Sequence, residues 1–228
     1  SLNNETKLVA TLDDDVELLP NAVIKMISFW NEVEHKTAGV GFNIVNVRER
    51  RKKVLRILLL MNHWRKGKVL ISGHVSPITN VNKNIKTNWL NGGATVWRKE
   101  ILQDYKHQSI RSSWAVYEDV IYSYPIGKHY PFYVTSEATI KIDSLPRIKK
   151  TDSFKQKFNQ TLWRGYFVHL NNLSYLAFIF TVLIEYTEYI IKSIYSDSYK
   201  DKRKGIYKAL LLVFKTEVDR KFLEENTL

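Results

Sequence analysis

Three groups of residues in this chain have types and spacing that could do chemistry. The first is Asp13-Asp14-Asp15, which ends the apolar run Lys7 to Leu12. Adjacent carboxylates repel one another, and a hard divalent ion such as Mg²⁺ or Mn²⁺ relieves that repulsion. Such an ion takes one or two carboxylates and leaves its remaining positions to substrate phosphates. The same acids could instead form a solvated turn that caps the next helix. The second group is Trp89-Leu-Asn-Gly92-Gly93. Paired glycines there imply a backbone that passes close to another group or adopts positive φ, though a bulge or hairpin turn would also use them. The third is Glu118-Asp119, which opens an apolar stretch. It reads either as a general base presented at a helix start or as acids placed to suit a helix dipole.

The elements around these residues follow from hydrophobic pattern. Lys7 to Leu12 predicts a short buried strand, and the carboxyl end of a strand in an α/β sheet is where ligands bind. Pro20 suits a first helical position. Val23, Ile27, Trp30 and Val33, with Ile24 and Met26 beside them, then repeat at helical spacing to about His35, as in a helix packed on the sheet. Ala38 to Val47 predicts a second strand, and strand-helix-strand implies a parallel sheet. Arg48 to Arg56 is a basic run, Val69 to His74 a short strand, and Ser76 to Thr87 a polar loop. Glu100 to Tyr105 predicts a short helix, and Phe132 to Ile142 a strand leading to Asp143.

From Thr151 the composition turns basic and aromatic. Leu173 to Ile184 carries no charge over twelve residues, fewer than the roughly 20 that a membrane span needs. Lys200 to Lys204 reads as a basic linker, and Ile206 to Lys215 as a last amphipathic helix. Two basic, aromatic helices suit the face of an anionic membrane, or else packing on the sheet or on another subunit. The expected organisation is therefore an α/β region over 1–150, which carries the three groups, and a helical tail over 151–228.

Composition narrows the chemistry further. The chain has no Cys, so disulfides, thiolate metal sites and cysteine nucleophiles are excluded, which fits a reducing compartment. A formal charge of +12 in 228 residues calls for an anionic partner without identifying it.

The order of the three groups is more specific than any one of them. A strand ending in Asp13-Asp14-Asp15, then Trp89 with Gly92-Gly93, then Glu118-Asp119, resembles the family-2 glycosyltransferases of GT-A fold, over roughly Lys7 to Phe167. The resemblance implies an α/β architecture, a mixed sheet flanked by helices and followed by C-terminal helices. It implies that Asp13 and Asp15 hold Mg²⁺ or Mn²⁺ and that Asp119 is the catalytic base. Asp14, Trp89, Gly92, Gly93 and Glu118 would shape the substrate pocket. Many members place a metal-ligating His after the last strand; Asp143 stands in that region here. Trp163-Arg164-Gly-Tyr-Phe is similar to the segment that follows the catalytic domain in bacterial rhamnosyltransferase-like members. Processive members carry Gln-x-x-Arg-Trp, whereas Gln160-Thr-Leu-Trp163-Arg164 reverses the last two residues.

The implied reaction is an inverting transfer of a sugar from a nucleotide-diphosphate donor to a saccharide or lipid-linked acceptor. It would belong to bacterial surface polysaccharide synthesis, in the cytoplasm or at the inner face of the membrane, with no nucleic acid as partner. The family's first strand-helix-strand unit, which holds base and ribose, has no counterpart in this sequence. The chain therefore reads as the later portion of such a domain, with weak binding of nucleotide-sugar by itself. Two other readings compete. A metal-dependent nuclease or phosphotransferase would also use clustered Asp with a distant Glu-Asp pair. An inactive, membrane-associated fragment would keep only half of a site.

Overall fold

The computed structural model describes residues 6–47, 54–106, 116–142 and 152–215, together with 221, 223 and 225. Asp143 and Arg48 to Lys53 lie outside them. The apolar runs of the first two thirds form a mixed, six-stranded sheet with helices packed against it. In chain order the elements are β1 (Leu8–Leu12), β2 (Val16–Leu18), α1 (Ala22–Glu32), β3 (Gly39–Ile44), α2 (Val54–Leu58), β4 (Ile85–Thr87) and β5 (Ala94–Arg98). After them come α3 (Lys99–Asp104), α4 (Glu118–Gly127), β6 (Phe132–Ile142), α5 (Ser153–Leu170), α6 (Tyr175–Lys192) and α7 (Asp197–Lys215).

The strand order is β1-β5-β3-β6-β2, with β4 added on β6. β1 and β3 both run antiparallel to β5, which lies between them, so the opening strand-helix-strand does not make adjacent parallel strands. Among the described residues only β3 and β6 pair in parallel. Among the described residues β1 ends the order of strands, with β5 as its neighbour, and it is half-buried rather than buried. The pairing of β3 with β6 slips between Gly41 and Asn43: Gly41 faces Val134, but Asn43 faces Thr139. Three extra residues on β6 are an odd number, so its even positions change face. Phe132 and Val134 pack with Leu90, Trp97 and Ile126, whereas Ala138 and Ile140 pack with Met26, Trp30 and Phe42.

Several local expectations are corrected. α1 buries Ala22, Met26 and Trp30, while Val23, Ile24 and Ile27 are exposed. Both stripes are apolar at helical spacing, so periodicity alone does not say which one faces the sheet; packing with Phe42 and Ile140 takes Met26 and Trp30. Pro20 precedes the helix, whose N-cap is Asn21 in the left-handed region. Val69 and Val75 form an isolated bridge rather than a strand. The Ser76 to Thr87 stretch ends in β4 and is anchored by Asn43, whose Nδ2 donates to the Val81 carbonyl at 2.9 Å. The linker expected at Lys200 to Lys204 is helical, inside α7, where Asp197 and Lys200 pair at 2.8 Å one turn apart.

The C-terminal helices are capped and packed. The Asp152 carboxylate accepts from the backbone N–H groups of Phe154 and Lys155, and the Ser174 hydroxyl accepts from Ala177. Phe158, Trp163, Phe167, Phe178, Val182 and Leu210 form one apolar core that also takes in Val120 and Ile121 of α4. Among the described residues no helix is long and apolar enough to cross a membrane.

Candidate active site

Sheet register places the first acid. β1 and β5 run antiparallel with Leu12 opposite Ala94, so the next positions along the ladder are Asp13 and Gly93. The Asp13 N–H donates to the Gly93 carbonyl at 2.9 Å and extends the pairing by one step. Thr11 Oγ1 donates to the Thr95 carbonyl and accepts from Trp97 Nε1, both at 3.1 Å, which fixes the end of β1 against β5. The chain then turns through Asp14 and Asp15, and the Val16 N–H returns to the Asp13 carbonyl at 3.3 Å. The acids therefore occupy the β1–β2 turn rather than a helix start.

The glycine pair lies between carboxylates. A Cβ built on Gly93 would fall within the Asp13 carboxylate, and one built on Gly92 would stand 2.5 Å from Asp119 Oδ1. Neither glycine has a positive φ, so close approach, and not backbone conformation, is why these positions lack side chains. Because consecutive Cα atoms are about 3.8 Å apart, these contacts hold the Asp13 and Asp119 carboxylates within at most roughly 11 Å of each other.

α4 brings Asp119 to that position. Glu118 and Asp119 form its first turn, where the helix dipole favours negative charge. Ser123, fully buried, ties this turn to the glycine segment: its hydroxyl accepts from the Leu90 N–H at 3.0 Å and donates to the Asp119 carbonyl at 2.6 Å. Thr95 Oγ1 donates to the Asn91 carbonyl at 2.6 Å and closes the turn on its other side. Sequence reasoning misses Ser123 and Thr95, because nothing in their local pattern sets them apart from other hydroxyls.

Trp89 has its indole N–H on the Ser76 carbonyl at 3.2 Å and packs partly into two apolar clusters. Its placement beside the glycines is therefore also a core function. Glu118 lines a cavity of about 500 Å³ with Tyr105, Tyr122, Lys128 and His129, a mixture of aromatic faces and polar ends. Asp13, Asp15 and Asp119 are not in its wall.

Burial raises the Asp13 pKa above the ordinary carboxylate value, and the negative charges of Asp15 and Asp14 add to the rise. A cation would reverse that cost. Among the described residues no three His, Asp or Glu side chains are grouped closely enough to enclose a metal ion, and Asp143 lies outside them. The donor set fits an ion such as Mg²⁺ held by one or two carboxylates and completed by water and substrate oxygens, but not a closed protein cage.

No protein-family model matches this chain, and no curated protein matches it.

Proposed function

We propose that this chain carries the transfer site of a family-2, GT-A-type glycosyltransferase that moves a sugar from a nucleotide diphosphate to an acceptor hydroxyl. The observation that carries the reading is the Gly92-Gly93 pair pressed between Asp13 and Asp119. Three sequence-distant groups with the residue types that this transfer needs meet at one dipeptide. In this reading a divalent cation, held by Asp13 and Asp15, would neutralise the charge that develops on the leaving diphosphate. Asp119 would accept the proton of the attacking hydroxyl as the new bond forms, giving inversion in a single displacement. The absence of side chains on Gly92 and Gly93 lets the two carboxylates close in on one short segment of backbone, on which the sugar would sit. The cavity beside Glu118, with Tyr105 and Tyr122 in its wall, offers aromatic and polar contacts of the kind a saccharide acceptor uses.

The test is calorimetric titration of the full chain with uridine and deoxythymidine diphosphates, with and without Mn²⁺, beside Asp15→Ala. Binding that requires Mn²⁺ and is lost in Asp15→Ala supports the reading. Failure of both nucleotides to bind, with tight and salt-sensitive binding of DNA or RNA instead, replaces it with the nuclease alternative.

A further inference from the structure

A second cavity, of about 490 Å³, lies among α5, α6 and α7, with Arg56 of α2 and His74 at its wall. It is strongly cationic. Arg56, Lys157, Arg164, Lys192 and Lys202 line it, opposed among the described residues by only two carboxylates, Glu185 and Glu188. Both carboxylates are committed. Glu185 Oε1 accepts from Arg164 Nη1 at 3.0 Å, and its Oε2 lies 2.5 Å from Lys157 Nζ. Glu188 pairs with Lys192 and, at 3.6 Å, with Arg56. His74, 3.3 Å from Glu185 Oε1, adds no charge near neutral pH, because burial and the Arg164 cation push its pKa down to about 4.

Two sets of donors are left over. Arg164 is 3% exposed, yet its Nε and Nη2 have no hydrogen-bond partner among the described residues. Leaving such donors unsatisfied in the interior is costly, and native structures seldom do so. Lys202 has no ion-pair partner among the described residues and stands over the Tyr199 ring at 5.1 Å. The cations of the wall outnumber its carboxylates, and such an excess of guanidinium and ammonium groups suits the oxygens of a phosphate.

We propose that this cavity binds a phosphate or pyrophosphate group through its excess of cations, with Lys202 and Lys192 of its wall meeting the anion and the buried Arg164 guanidinium adding charge behind them. The volume exceeds that of pyrophosphate alone and leaves room for the molecule that bears it. Leu55 and Leu58 on either side of Arg56, and Ile191 beside Lys192, are largely exposed, so a phosphate carried on a lipid would meet apolar surface nearby. This anion chemistry is independent of the transfer reading, since neither Asp13 nor Asp119 takes part.

Titration of the full chain with sodium pyrophosphate in EDTA tests it, because without divalent cations Asp13 and Asp15 have no means of drawing the ligand. Saturable binding is expected, weakened about tenfold by Lys202→Ala or Lys192→Ala, as fits the loss of one charge-assisted contact. Asp15→Ala leaves it unchanged. Arg164→Gln removes a partner from buried Glu185 and can unfold the helices, so the test rests on the two lysine variants. Sedimentation with phosphatidic acid vesicles, against phosphatidylcholine vesicles, separates the sources. Vesicle binding that falls in the lysine variants and is displaced by pyrophosphate assigns a lipid phosphate; pyrophosphate binding without it assigns a soluble one. No saturable binding in either arm, or binding in both that the lysine variants leave unmoved, overturns the proposal.

Discussion

Asp13 and Gly93 compete for one volume: the carboxylate of the first occupies the space where the second would carry a Cβ. The antiparallel register of β1 and β5 sets them opposite one another, and the Asp13 N–H on the Gly93 carbonyl holds them there. A methyl group at position 93 must therefore displace the carboxylate. Gly93→Ala is expected to fold, because the displaced group is the end of an exposed side chain. Misplacing a reacting group by about 1 Å can cost on the order of 10²-fold in rate, so sugar transfer should fall by that order. Circular dichroism beside a transfer assay checks both halves. Wild-type turnover in Gly93→Ala would remove Asp13 from the site.

Asp13 also ties stability to charge. Its folded pKa is raised, by burial first and then by Asp15 and Asp14, so the ionised form is disfavoured in the folded chain relative to the unfolded one. Its favourable contribution is full below the ordinary value of 3.8 and is lost as pH rises through the raised folded value. At neutral pH without divalent cations, Asp13→Asn should therefore melt higher than wild type. The gain should stay under about 1 kcal/mol, because solvent screens a carboxylate this exposed. Added Mn²⁺ with a nucleotide diphosphate should reverse the ranking. Differential scanning fluorimetry of the two proteins, with and without both additions, measures it, and a lower melting temperature for metal-free Asp13→Asn would contradict the electrostatic account.

Ser123 joins the turn that presents Asp119 to the segment that carries Gly92. Ser123→Ala leaves the buried Leu90 N–H without its acceptor, which should cost about 1–3 kcal/mol. The rate of transfer should fall while the affinity for nucleotide diphosphate stays close to wild type, because Asp13 and Asp15 are untouched. Asp119→Asn should lose about 10²–10⁴-fold in rate with the same unchanged affinity. Urea denaturation with parallel calorimetry separates the two variants: only Ser123→Ala shifts the denaturation midpoint substantially.

These residues differ in how far they are legible in the chain itself. β6 from Phe132 to Ile142 and the start of α4 at Glu118 follow from local pattern, since β-branched alternation and acids before an apolar run are local signals. The Gly92-Gly93 pair announces a close approach, but which carboxylates approach depends on strand register, and register is a long-range property. The same limit applies to α1, where Val23, Ile24 and Ile27 are as apolar as the buried Met26 and Trp30. Ser123 and the Glu185 cluster are not legible at all. A buried carboxylate among cations looks, in sequence, like any charge that interrupts an apolar helix, and its partners lie 21, 28 and 111 positions away at Arg164, Lys157 and His74.

The Glu185 cluster separates two pH windows. Burial alone would raise the Glu185 pKa, but Arg164, Lys157 and His74 hold it well below the ordinary value of 4.5. Its contribution is present above that value and is lost only as pH falls through its lower, folded one. His74 acts earlier. Its folded pKa of about 4 lies below the ordinary 6.5, so the unfolded chain binds the extra proton first, and stability should decline as pH falls from about 6.5 toward 4. A shift of that size corresponds to about 3 kcal/mol as an order of magnitude. His74→Gln should flatten the decline across this window, whereas Glu185→Gln should destabilise the chain at every pH above it. The cost of the second change is about 3–5 kcal/mol, because Lys157 and Arg164 are left as buried cations without a carboxylate. Since Val120 and Ile121 of α4 share the apolar core of these helices, Glu185→Gln should also loosen the turn that holds Asp119. Hydrogen exchange at the start of α4 would detect that loosening; protection there unchanged from wild type would mean that the Asp119 turn is held by Ser123 and the sheet alone.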